Sequence, residues 1–248
     1  MNNNYQNIGA IILAAGKGTR MQCQDKNKVA MLLGNKPLVL RIVHLLKTLD
    51  LGAIVAVVGY AKESVIEALA GENVLTVEQT EQLGTAHAVQ VGLKKLPEKI
   101  SDVIVIYGDD ASLYPASLLN TLVIKHMGSN AAVTFITFTV SEPKGLGRVL
   151  RDENGNVSEI VEEKNATEEQ KKVNEINSGC YIFNKAFLAK YLPRIGKNPV
   201  SGEYYLTDII ELALKNNEKV ETVEGKNFPW RGINTPDELK AAEKQISL

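Results

Sequence analysis

Apolar residues along the chain fall into two kinds of run, and the two kinds alternate. Ile8 to Ala14 (IGAIILA), Ala53 to Gly59 (AIVAVVG) and Asp102 to Tyr107 (DVIVIY) are short and almost continuously apolar. Runs of that length and texture predict strands buried on both faces. Val74 to Val77 and Ala131 to Val140 add two more strands. Between them, Pro37 to Leu49, Glu63 to Leu69, Thr85 to Leu96 and Ala116 to His126 place apolar residues at helical spacing, and Pro37 suits a first helical turn. This alternation predicts an α/β domain with a doubly wound, mostly parallel sheet and helices on both faces. Ligands of such sheets sit in the crevice at the carboxyl ends of the strands.

The rhythm changes after Val140. Gly147 to Arg151, Val157 to Val161 and Ile176 to Phe183 read as shorter strands separated by polar turns such as Glu153-Asn154-Gly155. The charged stretch Glu162 to Lys172 predicts an exposed loop or a short helix, and Tyr205 to Lys215 and Pro236 to Ile246 predict closing helices. No internal repeat, heptad pattern or low-complexity linker interrupts the chain. The expectation is one domain over residues 1–248, with a small β-rich elaboration in its second half.

Composition narrows the picture mainly by exclusion. The 248 residues are 44% hydrophobic and 23% charged, as in ordinary globular chains. A formal net charge of −1 provides no general basic field for nucleic acid. Cys23 and Cys180 are far apart and form no metal-binding pattern, which points to reduced thiols. The polar start lacks the order of a signal peptide, and no apolar run is long enough to cross a bilayer. A cytoplasmic protein without a membrane partner is the expectation.

The sharpest local signal follows the first strand: Leu13-Ala14-Ala15-Gly16-Lys17-Gly18-Thr19-Arg20-Met21. Small residues there let backbone N–H groups approach phosphate oxygens closely, and Lys17 and Arg20 add positive charge. A P-loop is excluded because Lys17 is followed by glycine, and a dinucleotide fingerprint because Met21 stands at its third glycine position. A plain tight connection between strand and helix is the remaining reading of the loop taken alone.

At this loop the sequence resembles the nucleotide-sugar pyrophosphorylases, and most of all the pyrophosphorylase domain of bacterial N-acetylglucosamine-1-phosphate uridyltransferases. The resemblance runs in order from Ala10 to about Leu239, through LAAGKGTRM at Leu13, EQLGTAHA at Glu81, YGD at Tyr107, GLGRV at Gly145, IVEEKNA at Ile160, EINSGCY at Glu175, GEYYLTDII at Gly202 and GIN at Gly232. It implies a Rossmann-like nucleotidyltransferase fold, with a nucleotide-binding half (1–140) and a sugar-binding half (141–248). The implied reaction transfers a uridylyl group from UTP to N-acetylglucosamine 1-phosphate with the help of Mg²⁺. Both reactants are anions, so catalysis rests mainly on positioning and charge neutralisation.

The resemblance also assigns roles. The backbone of Leu13, Ala14, Ala15 and Gly16 meets uracil and ribose, while Gly18 and Arg20 border the triphosphate, with Arg20 at the leaving pyrophosphate. Lys28 neutralises phosphate charge. The family carries Pro-Lys there, whereas this chain has Asn27-Lys28 after a slightly longer loop. Gln79 reads the base edge, with Gln82 as a rival one turn away. Gly84 and Thr85 supply free N–H groups at a helix start, and the nearby His87 is expected to pack rather than react. Asp109 and Asn234 are the implied metal ligands. The following Asp110 departs from the family pattern and either tunes the metal or caps the next turn. Tyr107, Gly147, Glu162, Asn177 and Thr207 form the sugar side, and Glu162, rather than Glu163, has the family's spacing to Lys164.

Many such uridyltransferases carry a second domain of hexapeptide repeats that acetylates glucosamine 1-phosphate. No such repeat is present, so neither acetyltransferase activity nor a trimer built through that domain is expected. The oligomeric state stays open between a monomer and a small homo-oligomer. Two other readings remain: the same chemistry on glucose 1-phosphate or another phosphorylated alcohol, and a regulatory module that binds nucleotide sugars without turnover.

Overall fold

The computed structural model describes residues 5–21, 25–109, 113–226, 228 and 232–246, with the backbone alone at Arg20, Gln245 and Ile246. The first strand, β1 (Tyr5–Ala14), leads to a two-stranded hairpin of β2 (Leu32–Leu33) and β3 (Lys36–Pro37). Then follow α1 (Leu38–Lys47), β4 (Leu51–Val58), α2 (Lys62–Ala68), β5 (Leu75–Glu78), α3 (Thr85–Leu93) and β6 (Asp102–Tyr107). The middle of the chain forms α4 (Ala116–Ser129), β7 (Val133–Thr139), β8 (Arg148–Arg151), β9 (Val157–Val161) and α5 (Glu168–Lys171). The last elements are β10 (Glu175–Asn184), α6 (Lys185–Tyr191), α7 (Asp208–Lys215), β11 (Val220–Glu224) and α8 (Pro236–Ile246).

The main sheet runs in the order β11-β7-β10-β6-β1-β4-β5. Every neighbouring pair is parallel except the two that involve β10, which lies antiparallel between β6 and β7. The strand-like runs therefore do form a mostly parallel sheet. Alternate residues of each strand feed two different cores, as the period of two requires. Ile8, Ala10, Ile12, Ile104 and Ile106 pack under α1, α2 and α4. Ile11, Val55, Val57, Val103 and Val105 pack under α3, α6 and α7. In α1 the buried residues Leu38, Val39, Ile42, Val43 and Leu46 form one stripe, the expected geometry for a helix lying on a sheet. A third, smaller cluster of Leu33, Leu38, Ile233 and Ala242 docks α8 beside the hairpin.

Most element boundaries match the hydrophobic pattern within a few residues, and three differences have physical causes. The helix from Thr85 stops at Leu93 rather than Leu96, beyond which the backbone turns at Lys95 and Leu96. The helix expected from Tyr205 starts at Asp208, because Tyr204 to Thr207 are drawn to α3: the Leu206 N–H donates to Thr85 Oγ1 at 2.9 Å. Four elements, β2, β3, α6 and β11, are absent from the expectation, and Pro37 ends β3 as the extended N-cap of α1 instead of sitting in its first turn. A single apolar face of seven residues forms α6, held at its start by Asn184, whose side chain accepts from the Phe187 N–H. The edge strand β11 reads VETVE and looks polar in sequence.

Candidate active site

The carboxyl ends of β1, β5 and β6 open into one cleft of about 720 Å³. It is the crevice expected of a doubly wound sheet. Leu13, Ala14, Ala15, Gly16 and Gly18 line it from the turn after β1. Gly18 has φ +56°, and a side chain there would strike the Cβ of Lys28 at 2.9 Å. Glycine at that position thus lets the loop close over the Lys28 stem.

Gln79 follows β5 and is 3% exposed. Its Nε2 donates to the Gly84 carbonyl and lies against Nδ1 of His87, each at 3.1 Å. With the amide nitrogen engaged on that side, Oε1 is the end left to accept a bond in the cleft. His87 thus packs against the group expected to read the base. Gln82 also lines the cleft, more exposed than Gln79, and its amide donates to the Gln79 carbonyl at 3.2 Å. Gly84 adopts φ +107°, and a Cβ there would lie 2.5 Å from the Tyr204 carbonyl. That close approach brings the 203–206 segment onto the start of α3, where Thr85 lines the cleft.

Lys28 sits on a short 3-10 turn, Lys28–Ala30, with Asn27 as its N-cap. Its ammonium donates to the Asp109 carboxylate and, at 3.0 Å, to Oδ1 of Asn234. All three side chains line the cleft. Asp109 follows β6 directly, while Asn234 precedes α8. A capping arrangement fixes Asn234: its N–H and that of Thr235 donate to Glu238 at 2.6 and 2.8 Å, and the Glu238 N–H donates back to Thr235 Oγ1 at 3.2 Å.

The far wall comes from the second half of the chain. A bulge in β10 between Asn177 and Tyr181 turns Asn177 and Gly179 into the cleft lining. The Asn177 amide donates to the Tyr181 hydroxyl, and its backbone N–H donates to the Gly147 carbonyl at 3.0 Å. Glu162 follows β9 and accepts from the Thr207 hydroxyl at 3.2 Å. Burial raises its carboxyl above the ordinary value, while Thr207 and the Lys164 charge pull it down. Burial and the charges of Glu162 and Glu211 push the neighbouring Asp208 up to about 6. Tyr107, at the end of β6, completes this side.

Every expected site residue whose side chain is described thus lines this cleft, apart from Thr207, which reaches it through Glu162. The Arg20 side chain and Asp110 lie outside the described residues. The cleft also includes Lys17, Thr19, Asn27, Gly145, Leu146 and Glu203. Of these, Asn27 marks the departure from the resembled family, and Glu203 lies within the quoted GEYYLTDII motif.

A family model for nucleotidyl transferases matches residues 9–247. The chain belongs to the nucleotidyl transferase family. It is 43% identical over 241 residues to the bifunctional protein GlmU of Caldicellulosiruptor saccharolyticus, covering 96% of this chain and 51% of that protein. It is 44% identical over 213 residues to the bifunctional protein GlmU of Carboxydothermus hydrogenoformans, covering 86% and 47% respectively. The chain thus spans about half the length of these curated relatives. A Bacillus anthracis structure assigned as a glucose-1-phosphate thymidylyltransferase and solved with sucrose superposes with a TM-score of 0.78. At 21% identity over 96% of this chain and 94% of that one, it shows a shared fold.

Nucleotidyltransferases of this family generally use a divalent metal. The residues present fit such an ion. No group of three or more His, Cys, Asp or Glu among the described residues could hold a metal alone. Asp109 and Asn234 nevertheless aim two oxygens at one cationic centre, here the Lys28 ammonium. One carboxylate and one amide oxygen, completed by phosphates and water, form a hard-cation donor set. No helix among the described residues is long and apolar enough to cross a membrane.

Proposed function

We propose that this nucleotidyltransferase moves a uridylyl group from UTP to N-acetylglucosamine 1-phosphate, giving UDP-N-acetylglucosamine and pyrophosphate, with Mg²⁺ as its metal. The observation that carries the reading is the order of groups along one cleft, which follows the strand order of the sheet. Gln79 follows β5, the glycine-rich turn follows β1, Asp109 follows β6, and Asn177 lies on β10. That sequence matches base, ribose, phosphates and sugar. Residues 1–140 would serve mainly the nucleotide and 141–248 mainly the sugar, with Asn234 crossing over to the phosphates.

In the reaction, an oxygen of the sugar phosphate attacks the α-phosphorus of UTP in line. A new P–O bond forms as the bond to the β-phosphate breaks, and pyrophosphate leaves with the electron pair. Gln79 Oε1 accepts from uracil N3–H, whereas cytosine offers only an acceptor at that position. Gly84 and Thr85 border the base, and the backbone of Leu13 to Gly16 borders the base and ribose. Lys28 neutralises phosphate charge beside Gly18, and Arg20 stabilises the leaving pyrophosphate. Asp109 and Asn234 would hold the metal, which would supply charge neutralisation for the phosphates. Glu162, Asn177, Gly147 and Tyr107 orient the sugar, Glu162 by accepting hydroxyl hydrogens. Support comes from the ordered sequence motifs, the family match and the relatives at 43% and 44% identity.

The test is pyrophosphate release by purified protein with Mg²⁺, each nucleoside triphosphate in turn, and either N-acetylglucosamine 1-phosphate or glucose 1-phosphate. Release with UTP and N-acetylglucosamine 1-phosphate is expected. Preference for glucose 1-phosphate would keep the mechanism and overturn the acceptor. No release with any pair would overturn the reading as an enzyme.

A further inference from the structure

Asn27 is 1% exposed in a cleft otherwise lined by groups that face substrate. Its amide nitrogen lies 3.1 Å from the Ala14 carbonyl, 3.1 Å from the Gly16 carbonyl and 2.7 Å from the Tyr60 carbonyl. Its amide oxygen accepts from the Val29 N–H at 3.1 Å and so caps the turn that carries Lys28. Its own backbone N–H donates to the Ser64 hydroxyl at 2.9 Å. One side chain therefore joins three pieces of the nucleotide side: the glycine-rich turn after β1, the end of the turn after β4, and the Lys28 turn.

The two ends of this amide do different work. Carbonyl oxygens in a phosphate cradle repel the anion, and Asn27 draws two of them, at Ala14 and Gly16, to its own side. Across a planar trans peptide the N–H points opposite to the carbonyl, so the Lys17 N–H points away from Asn27. The oxygen end sets where the Lys28 turn begins. We propose that Asn27 is a positioning residue for the nucleotide: it fixes the glycine-rich turn and the Lys28 ammonium in register, so that loop N–H groups and ammonium meet the same triphosphate. This inference rests on the nucleotidyl-transfer reading. The resembled family has proline before the lysine, and proline offers no side-chain amide. In this chain a hydrogen-bonded side-chain amide stands there instead.

Asn27→Asp separates the two ends, since aspartate still accepts from Val29 but turns a carboxylate onto three carbonyls. Asn27→Ala removes both. Nucleotide binding is read without turnover, by calorimetry with UTP and Mg²⁺, and steady-state kinetics gives KM for each substrate. Both variants are expected to weaken UTP binding and raise its KM at least tenfold, with the sugar-phosphate KM changed less than twofold. Ser64→Ala loosens the same turn from outside and should shift UTP binding two- to fivefold in the same direction, which keeps the test informative if the Asn27 variants fail to fold. UTP binding within twofold of the wild type in the folded variants, or an equal rise in both KM values, overturns the positioning role. A wild type that binds UTP but releases no pyrophosphate overturns the proposed reaction instead, and the binding comparison still decides the role of Asn27.

Discussion

Lys28 spends a single ammonium on both oxygens proposed to hold a metal. Two cations cannot share that position without repulsion of several kcal/mol at short range, even at an effective dielectric of about 20. Replacing Lys28 with methionine should therefore tighten Mn²⁺ binding to the nucleotide-free protein by roughly tenfold, measured by paramagnetic titration, because Asp109 no longer has an internal partner. The same variant should turn over about 10²–10³-fold more slowly, the usual cost of removing one preorganised charge at a reacting phosphate. Unchanged Mn²⁺ affinity would refute the competition. Asp109→Ala acts in the opposite sense. It should abolish most metal-dependent turnover while leaving the circular dichroism spectrum intact, since Asp109 lies after β6 and outside the packed core. Full activity in that variant would remove Asp109 from the metal site.

At the scale of elements, α3 and α7 each carry a testable strain. The Gly84 turn that starts α3 needs a positive φ and has no room for a Cβ against Tyr204. Gly84→Ala should cost about 1–3 kcal/mol of stability and raise the nucleotide KM, because the segment displaced is the one that receives Gln79. Urea unfolding and kinetics check the pair together. At the start of α7, Asp208 is held above its ordinary value of 3.8, at about 6, so the fold binds that proton more tightly than the unfolded chain does. The stability it contributes is complete below about pH 4 and is lost as the pH rises through about 6. Solvent screening at this half-exposed site reduces the effect to about 1–2 kcal/mol. That still exceeds the ~0.3–1 kcal/mol a carboxylate gains at a helix start. Asp208→Asn should therefore raise the melting temperature at pH 7.5 and leave it unchanged at pH 4.

The same elements show what was legible in the sequence. The strands β1, β4 and β6 are buried on both faces, so their apolar runs could hardly be read otherwise. The glycine-rich turn and the motifs that follow it located nearly every residue of the cleft. Edge strand β11 was not legible, because Glu221, Thr222 and Glu224 leave only two apolar residues in five, with no period-two pattern to mark a strand. The antiparallel insertion of β10 could not be read either, since strand order is a property of pairing and leaves no mark in a single hydrophobic run. His87 looked ordinary, and Asn27 showed only as a departure from the family's proline, for a related reason. Their significance lies in partners brought near by folding, such as Gln79 eight residues away and Tyr60 thirty-three residues away.

On the scale of the whole molecule, the halves 1–140 and 141–248 share one sheet. β10 comes from the second half yet lies between β6 and β7 of the first, and β11 covers the far edge of β7. Residues 1–140 expressed alone should lack a cooperative thermal transition, because β7 then loses both strand neighbours and β6 loses one. The full chain should unfold in one step by both circular dichroism and tyrosine fluorescence. A stable, cooperative 1–140 fragment would contradict this. The placement of β10 also matters while the chain is being made. At ~5–20 residues per second, β7 leaves the ribosome about 2–7 seconds before β10 begins to emerge. During that interval Val133 and Phe135, the future partners of Phe183 and Tyr181, stand on an open apolar strand edge. Newly made chains are thus most vulnerable to aggregation midway through synthesis, and slow codons between residues 140 and 175 would lengthen the exposure.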